Sequence, residues 1–226
     1  MSAPETRWRE LLDLALPALD HVFGAEADET KPAPWTLGGG TAIALSIDHR
    51  VSYDVDLFVP TVPLKLFTPA RNPAAARISP NFQWPGHSLK FERAEGEIDF
   101  LSPVLQTEPG YGWRDYGARR IPVETPEEVV VKKIRFRAAR FTARDVFDLA
   151  AVANVRPGLA KLLAQEVSDA LQRTCEALEL QAARGTEALA QSIVPTPSSA
   201  GLVAEAFTIG RRVLAEAILL AASRRA

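Results

Sequence analysis

The stretch GGGTAIALSIDHRVSYDVDLFV (38–59) decides how this chain folds and what chemistry it can carry. WTL just before the glycines reads as a short strand, the glycines as a turn, and TAIALSI as a helix. Three glycines between strand and helix let the backbone come close to a ligand, and the exposed amides of a helix N-terminus favour a phosphate. Twelve residues separate Thr41 from Asp54, room for one helix and a return. Asp54 and Asp56 flank Val55 in a β-like run. The period of two in a strand would point both carboxylates to one face and turn Val55 and Leu57 to the core. Two aspartates at this spacing beside a phosphate-holding turn suit Mg²⁺ or Mn²⁺, since such ions are held by one or two carboxylates together with substrate phosphates.

Outward from this stretch, HSLKFERA and EIDFLSP alternate as strands, with Glu95-Gly96 as the turn of a hairpin. Ile98 and Phe100 take the core face, so Asp99 becomes the expected third carboxylate, with Glu97 on the same face in reserve. Asp99 would complete a metal site or activate an acceptor hydroxyl. Two ions held by Asp54, Asp56 and Asp99 would stabilise both the attacking and the leaving oxygen of a displacement on phosphorus.

RRIPVE is a further short strand, and Thr125, Pro126 and Glu128 form a strong helix start with a capping box. Lys132, Lys133, Arg135, Arg137, Arg140 and Arg144 follow with no acid among them. On a helix, Val130, Ile134, Ala138 and Phe141 make the apolar stripe. Lys133, Arg137 and Arg140 flank that stripe, whereas Lys132 and Arg135 point away. A basic row beside a buried face would meet a triphosphate or the phosphates of an RNA. Thr142 and Asp145 open a second helix as another capping box, and Asp148 is spaced to pair with Arg144 one turn back.

The ordered set Gly39, Gly40, Thr41, Ala42, then His49, Arg50, Ser52, Asp54, Asp56 and Phe58, resembles the AbiEii/AbiGii (type IV toxin, MenT-like) nucleotidyltransferase family. That family lies within the polymerase β-like nucleotidyltransferase superfamily. The family's helical Lys and downstream Arg-Asp-x-x-Asp-Leu match Lys132 or Lys133 and then Arg144, Asp145, Asp148 and Leu149. The likeness covers about residues 34–150, with Val55 standing where the family often has Leu or Ile. It implies transfer of a nucleoside monophosphate from an NTP, with Mg²⁺ or Mn²⁺, to an acceptor such as tRNA or another RNA. It also implies a toxin with a cognate antitoxin.

On this reading Asp54, Asp56 and Asp99 hold metal, Gly39, Gly40 and Thr41 hold the β- and γ-phosphates, and Lys133 neutralises developing charge. Asp145 is either an active-site residue or a helix cap. Arg50 and Ser52 either steady the aspartate loop or touch phosphate. Two other readings are a nucleotidyltransferase for a small molecule or a protein side chain, and a degenerate binding module of the same fold.

Composition fits. The chain has 226 residues, 47% hydrophobic and 24% charged, with net charge −2, which excludes disorder and coating of nucleic acid by bulk charge. The lone Cys175 forms no intrachain disulfide and suits a reducing, cytoplasmic setting. No secretory signal or membrane span is expected. The three histidines lack zinc-ligand spacing, and neither a Walker loop nor Gly-x-Ser-x-Gly is present.

Residues 1–150 hold 18 alanines and the last 76 residues hold another 18. The expected class is therefore α/β (α+β), a nucleotidyltransferase-type mixed sheet flanked by helices with an all-helical C-terminal region. The expected division is a catalytic domain over 1–150 and a helical region over 151–226. A helix is expected over about 4–23, kinked or stopped at Pro17, and helices over 157–183 and 199–224. The basic pairs Arg211-Arg212 and Arg224-Arg225 suggest that this tail frames an acceptor groove.

Overall fold

The computed structural model describes residues 7–26 and 28–224. The chain divides into two compact units, each assembled from separate stretches. The first comprises residues 1–42, 52–105 and 111–124, and the second comprises 43–51, 106–110 and 125–226.

The first unit is built on a six-stranded mixed sheet. Its strands are β1 (Thr36–Gly38), β2 (Val55–Phe58), β3 (Ser88–Arg93), β4 (Gly96–Leu101), β5 (Tyr111–Tyr116) and β6 (Arg119–Glu124), in the order β3-β4-β2-β1-β6-β5. β2 runs parallel to β4, with Asp56 opposite Asp99, and antiparallel to β1. The alternation read from sequence holds on β4, where Ile98 and Phe100 are fully buried and Glu97 and Asp99 take the other face. Phe67 stacks on Phe100 at 4.4 Å and Phe91 meets Phe100 edge-on, so aromatic rings fill the core beneath the central strands.

Helix α1 (Trp8–Phe23) buries Leu11, Leu12, Ala15 and Leu19 and packs on α3 (Pro73–Ile78), β2 and β4. It does not stop at Pro17 but continues to Phe23. Pro17 lies on the exposed face, where water can satisfy the carbonyl one turn back, and the buried leucines on the other face outweigh the lost hydrogen bond. Residues 4–6 of the expected helix lie outside the described residues.

Helix α2 (Gly39–Ile47) leaves β1 at the glycine turn, and its later residues belong to the second unit. That unit is otherwise helical: α4 (Pro126–Arg137), α5 (Ala143–Val155), α6 (Leu159–Glu166), α7 (Leu171–Ala182), α8 (Gly185–Ser192) and α9 (Leu202–Ser223). The single helix expected over 157–183 is two, broken where Val167, Ala170 and Leu171 turn inward and are buried. Helix α9 packs on α5, α6 and α7. It comes close to α7 at Gly210, where a Cβ would sit 2.8 Å from Leu178 Cδ1.

Thr125 caps α4, but Glu128 does not close a box with it. The Glu128 carboxylate accepts the backbone N–H groups of Gln106 and Thr107, and the Thr125 N–H donates to the Gly110 carbonyl. A carboxylate reaching three residues back satisfies one donor, whereas here it gathers three from the 106–110 segment, the Thr107 hydroxyl included. Arg211 of the tail's basic pair is held by Glu179 at 2.7 Å, and Arg225 lies outside the described residues.

Candidate functional site

In the first unit the glycine turn and the acidic strand ends meet. Gly39 has φ +64°, and a Cβ there would lie 1.7 Å from Asp56 Oδ2, so a side chain is excluded by both backbone and space. Gly40 occupies the first turn of α2. Thr41 is buried; its hydroxyl lies 2.9 Å from Ser52 Oγ and donates to the Asp54 carbonyl. Thr41 and Ser52 therefore fasten the loop that carries Asp54 to the start of the helix.

Asp54 does not share a strand with Asp56, because β2 begins at Val55. Its Oδ1 instead accepts the Glu97 N–H at 3.1 Å, which ties the loop to the start of β4. Asp56 stands opposite Asp99 in the parallel register. One oxygen of Asp99, Oδ1, is buried without a hydrogen-bond partner, and the other lies 3.8 Å from Lys90 Nζ. Lys90 itself is engaged by Glu97. Burial, with the Asp56 charge next in size, pushes the Asp99 carboxyl up to about 7, and Lys90 only partly offsets this.

An orphaned carboxylate oxygen facing a second carboxylate is a site short of positive charge, and hard oxygen donors suit a divalent cation. Among the described residues no three acidic, imidazole or thiol groups converge as a preformed coordination set. Asp56 stands opposite Asp99 in the register and weighs on its carboxyl more than Asp54 does.

The second unit brings together the other expected residues around a buried ion cluster. Lys133 Nζ lies 2.6 Å from Asp145 Oδ1 and 2.6 Å from Asp148 Oδ2. Asp148, fully buried, also accepts from Arg50 Nε at 2.7 Å and Nη2 at 3.1 Å, and its Oδ1 lies 2.7 Å from His49 Nε2. Burial alone would lower the Lys133 ammonium and raise both carboxyls. The mutual charges overcome it, holding Lys133 above its ordinary value, Asp145 below, and Asp148 well below.

His49 stacks on Phe147, with Nδ1 buried and unpartnered. The 193–199 loop fixes this segment: Val51 N–H donates to the Val194 carbonyl, Thr196 N–H to that of His49, and Ser199 Oγ to the same His49 oxygen.

Several local expectations change here. Asp145 is both cap and ion-pair partner, since Oδ2 accepts from the Thr142 N–H and hydroxyl while Oδ1 faces Lys133. Asp148 does not pair with Arg144, which donates to the Ser192 carbonyl. Lys132 does not point away but is buried 3.4 Å from Glu128, four residues back, because a buried carboxylate there balances its charge. Arg135 and Arg140 are exposed, the former donating to the Glu166 carbonyl. Lys90 had no motif to mark it. Neither spacing nor periodicity marks the contact between Asp148 and His49.

Compared with known families, residues 23–200 match the model described as nucleotidyl transferase AbiEii toxin, type IV toxin–antitoxin system. The chain belongs to this family. It is a nucleotidyltransferase of the AbiEii toxin type. No curated protein matches the chain. Among solved structures, the AbiEii-family chain is similar to JHP933 from Helicobacter pylori, at 14% identity and TM-score 0.48, over 96% of this chain and 92% of that one. It is also similar to MenT4, a nucleotidyltransferase toxin from Mycobacterium tuberculosis H37Rv, at 16% identity and TM-score 0.45, over 94% and 92%. Among the described residues, no helix of this AbiEii-family protein is long and apolar enough to cross a membrane.

Proposed function

We propose that this AbiEii-family protein transfers a nucleoside monophosphate from an NTP to a hydroxyl of an RNA, tRNA foremost, and releases pyrophosphate. Transfer requires Mg²⁺ or Mn²⁺. The modification blocks growth in the cytoplasm until a cognate antitoxin restrains it. One observation carries the reading: Asp56 and Asp99 face each other across parallel strands, and Asp99 keeps a buried oxygen that no protein donor satisfies.

Asp56 and Asp99 would hold the divalent ion, with Asp54 beside them. The ion would supply electrostatic stabilisation of the phosphate oxygens. The backbone amides of Gly39, Gly40 and Thr41 bind the β- and γ-phosphates, as a helix N-terminus favours. Gly39 must be glycine for that turn to sit against Asp56. Thr41 and Ser52 hold the Asp54 loop to the helix, so Ser52 acts by steadying the site. Lys133 and Asp145 enter as catalytic residues on the family's ordered motif. Asp145 and Asp148 keep the Lys133 ammonium charged and fixed against the opposing charge of Arg50, so that its field is ready before charge develops. Arg50, bound twice to Asp148, orients that cluster.

Incubating purified protein with total RNA, Mg²⁺ and each labelled NTP tests the reading. Wild type labels RNA with at least one NTP, and neither Asp54→Ala nor Asp56→Ala does. Equal labelling by wild type and both variants rejects it.

A further inference from the structure

We propose that a cavity in the second unit binds the phosphates of a nucleic-acid backbone, and so seats the acceptor RNA of the reading above, on which this inference rests. The cavity, about 430 Å³, is lined by Arg137, Arg144 and Arg184 together with Thr142, Gln181 and Ser192, and its wall includes no carboxylate. The three arginines come from three elements: Arg137 ends α4, Arg144 sits in the first turn of α5, and Arg184 precedes α8. Arg144 Nε donates to the Ser192 carbonyl at 2.9 Å, which fixes the guanidinium and leaves its terminal nitrogens to a ligand. Arg184 reaches Gln181 Oε1 at 3.5 Å, the outer limit of a hydrogen bond.

Among the described residues, neither Arg144 nor Arg184 has a carboxylate within ion-pair distance. Arg137, about half exposed, stands 3.5 Å from an Asp145 already committed to Lys133. Three like charges gathered at one cavity, two of them without a carboxylate partner, repel each other until a further anion joins them. The first turn of α5 adds backbone N–H groups that helix geometry leaves without intrahelical acceptors, on the positive end of the helix dipole. Forked guanidinium donors on separate elements match successive phosphates of one chain better than a single carboxylate.

The test measures binding of a fluorescent single-stranded RNA to the full chain, without NTP or divalent ion, across a salt series. Arg144→Gln with Arg184→Gln is expected to weaken binding by about tenfold and make the salt slope shallower by about 1.4, the loss of two single-strand phosphate contacts. Arg144→Lys with Arg184→Lys keeps most of the slope, with thermal melts unchanged throughout. Unchanged affinity and slope in the glutamine variant overturn the proposal. So does displacement of the RNA by ATP or by polyglutamate at matched charge, because the cavity then takes a nucleotide or an acidic peptide. The two readings fail separately. RNA bound through the arginines but labelled by no NTP defeats the acceptor assignment alone, and labelling that persists with binding blind to the arginines defeats the cavity alone.

Discussion

Asp99 on β4 and Asp148 on α5 are both shielded carboxylates, with side chains 16% and 0% exposed, yet the chain surrounds them in opposite ways. Asp148 is met by Lys133, Arg50 and His49, and its carboxyl is held well below the ordinary range. Asp99 faces Asp56, keeps one oxygen unengaged, and rises to about 7. A fully compensated charge fixes structure, whereas an undercompensated one is where the proposed function seats its cation. The same residue type thus ends as an internal strut in one unit and as an undercompensated charge in the other, and the decision is made by the neighbours it is given.

The comparison breaks first at activity. Asp56→Ala is expected to lower NTP-dependent labelling by about 10³-fold or more, equal to about 4 kcal/mol of barrier, while its melting temperature stays near wild type. Labelling assays with matched melts check both halves. Next comes stability: Asp148→Ala leaves Lys133 and Arg50 buried without their main partner and should cost about 3–5 kcal/mol in urea unfolding.

The pH dependence follows from the same cluster. Asp145 and Asp148 are depressed in the fold, so their contribution is complete above the unfolded carboxyl value of about 3.9 and drains away as pH falls through their folded values. Lys133 is raised, so its share is complete below about 10.4 and is lost as pH climbs past that. Urea midpoints across acid and alkaline series should fall at both ends, and Asp148→Asn should flatten the acid limb.

Smallest, and opposite in sign, Asp99→Asn should raise stability by about 1 kcal/mol in chelator at pH above neutrality. The folded state there resists the ionised form, and stability falls with pH between the unfolded value of about 3.9 and the folded value of about 7. A destabilised Asp99→Asn would show that its carboxylate is already compensated.

Legibility divided along the same line. The central strands and the Asp56 and Asp99 faces could be read because a strand's alternation is written in adjacent residues. β5 could not: as an edge strand with Gly112, Arg114 and Asp115 exposed, it lacks the apolar alternation that marks a half-buried strand. Spacing puts Asp54 on the strand, yet its carboxylate is drawn to the Glu97 amide, a contact that no local period encodes. Helix spacing marked Lys133. It misses Lys132, because the Glu128 carboxylate that pairs with it is written in the sequence as a capping residue. Asp148 pairs with His49 across 99 positions of chain, and such a pairing leaves no trace in either neighbourhood.

The nine residues from 43 to 51 pack with the helical unit although first-unit residues stand on either side of them in the chain. A recombinant piece starting at Thr125 would therefore lack the guanidinium that Asp148 grips, and a piece ending at Glu124 would carry that arginine without the Asp148 carboxylate. No single cleavage of the polypeptide separates the two bodies cleanly, so protease mapping and fragment expression will report on the toxin only as a whole.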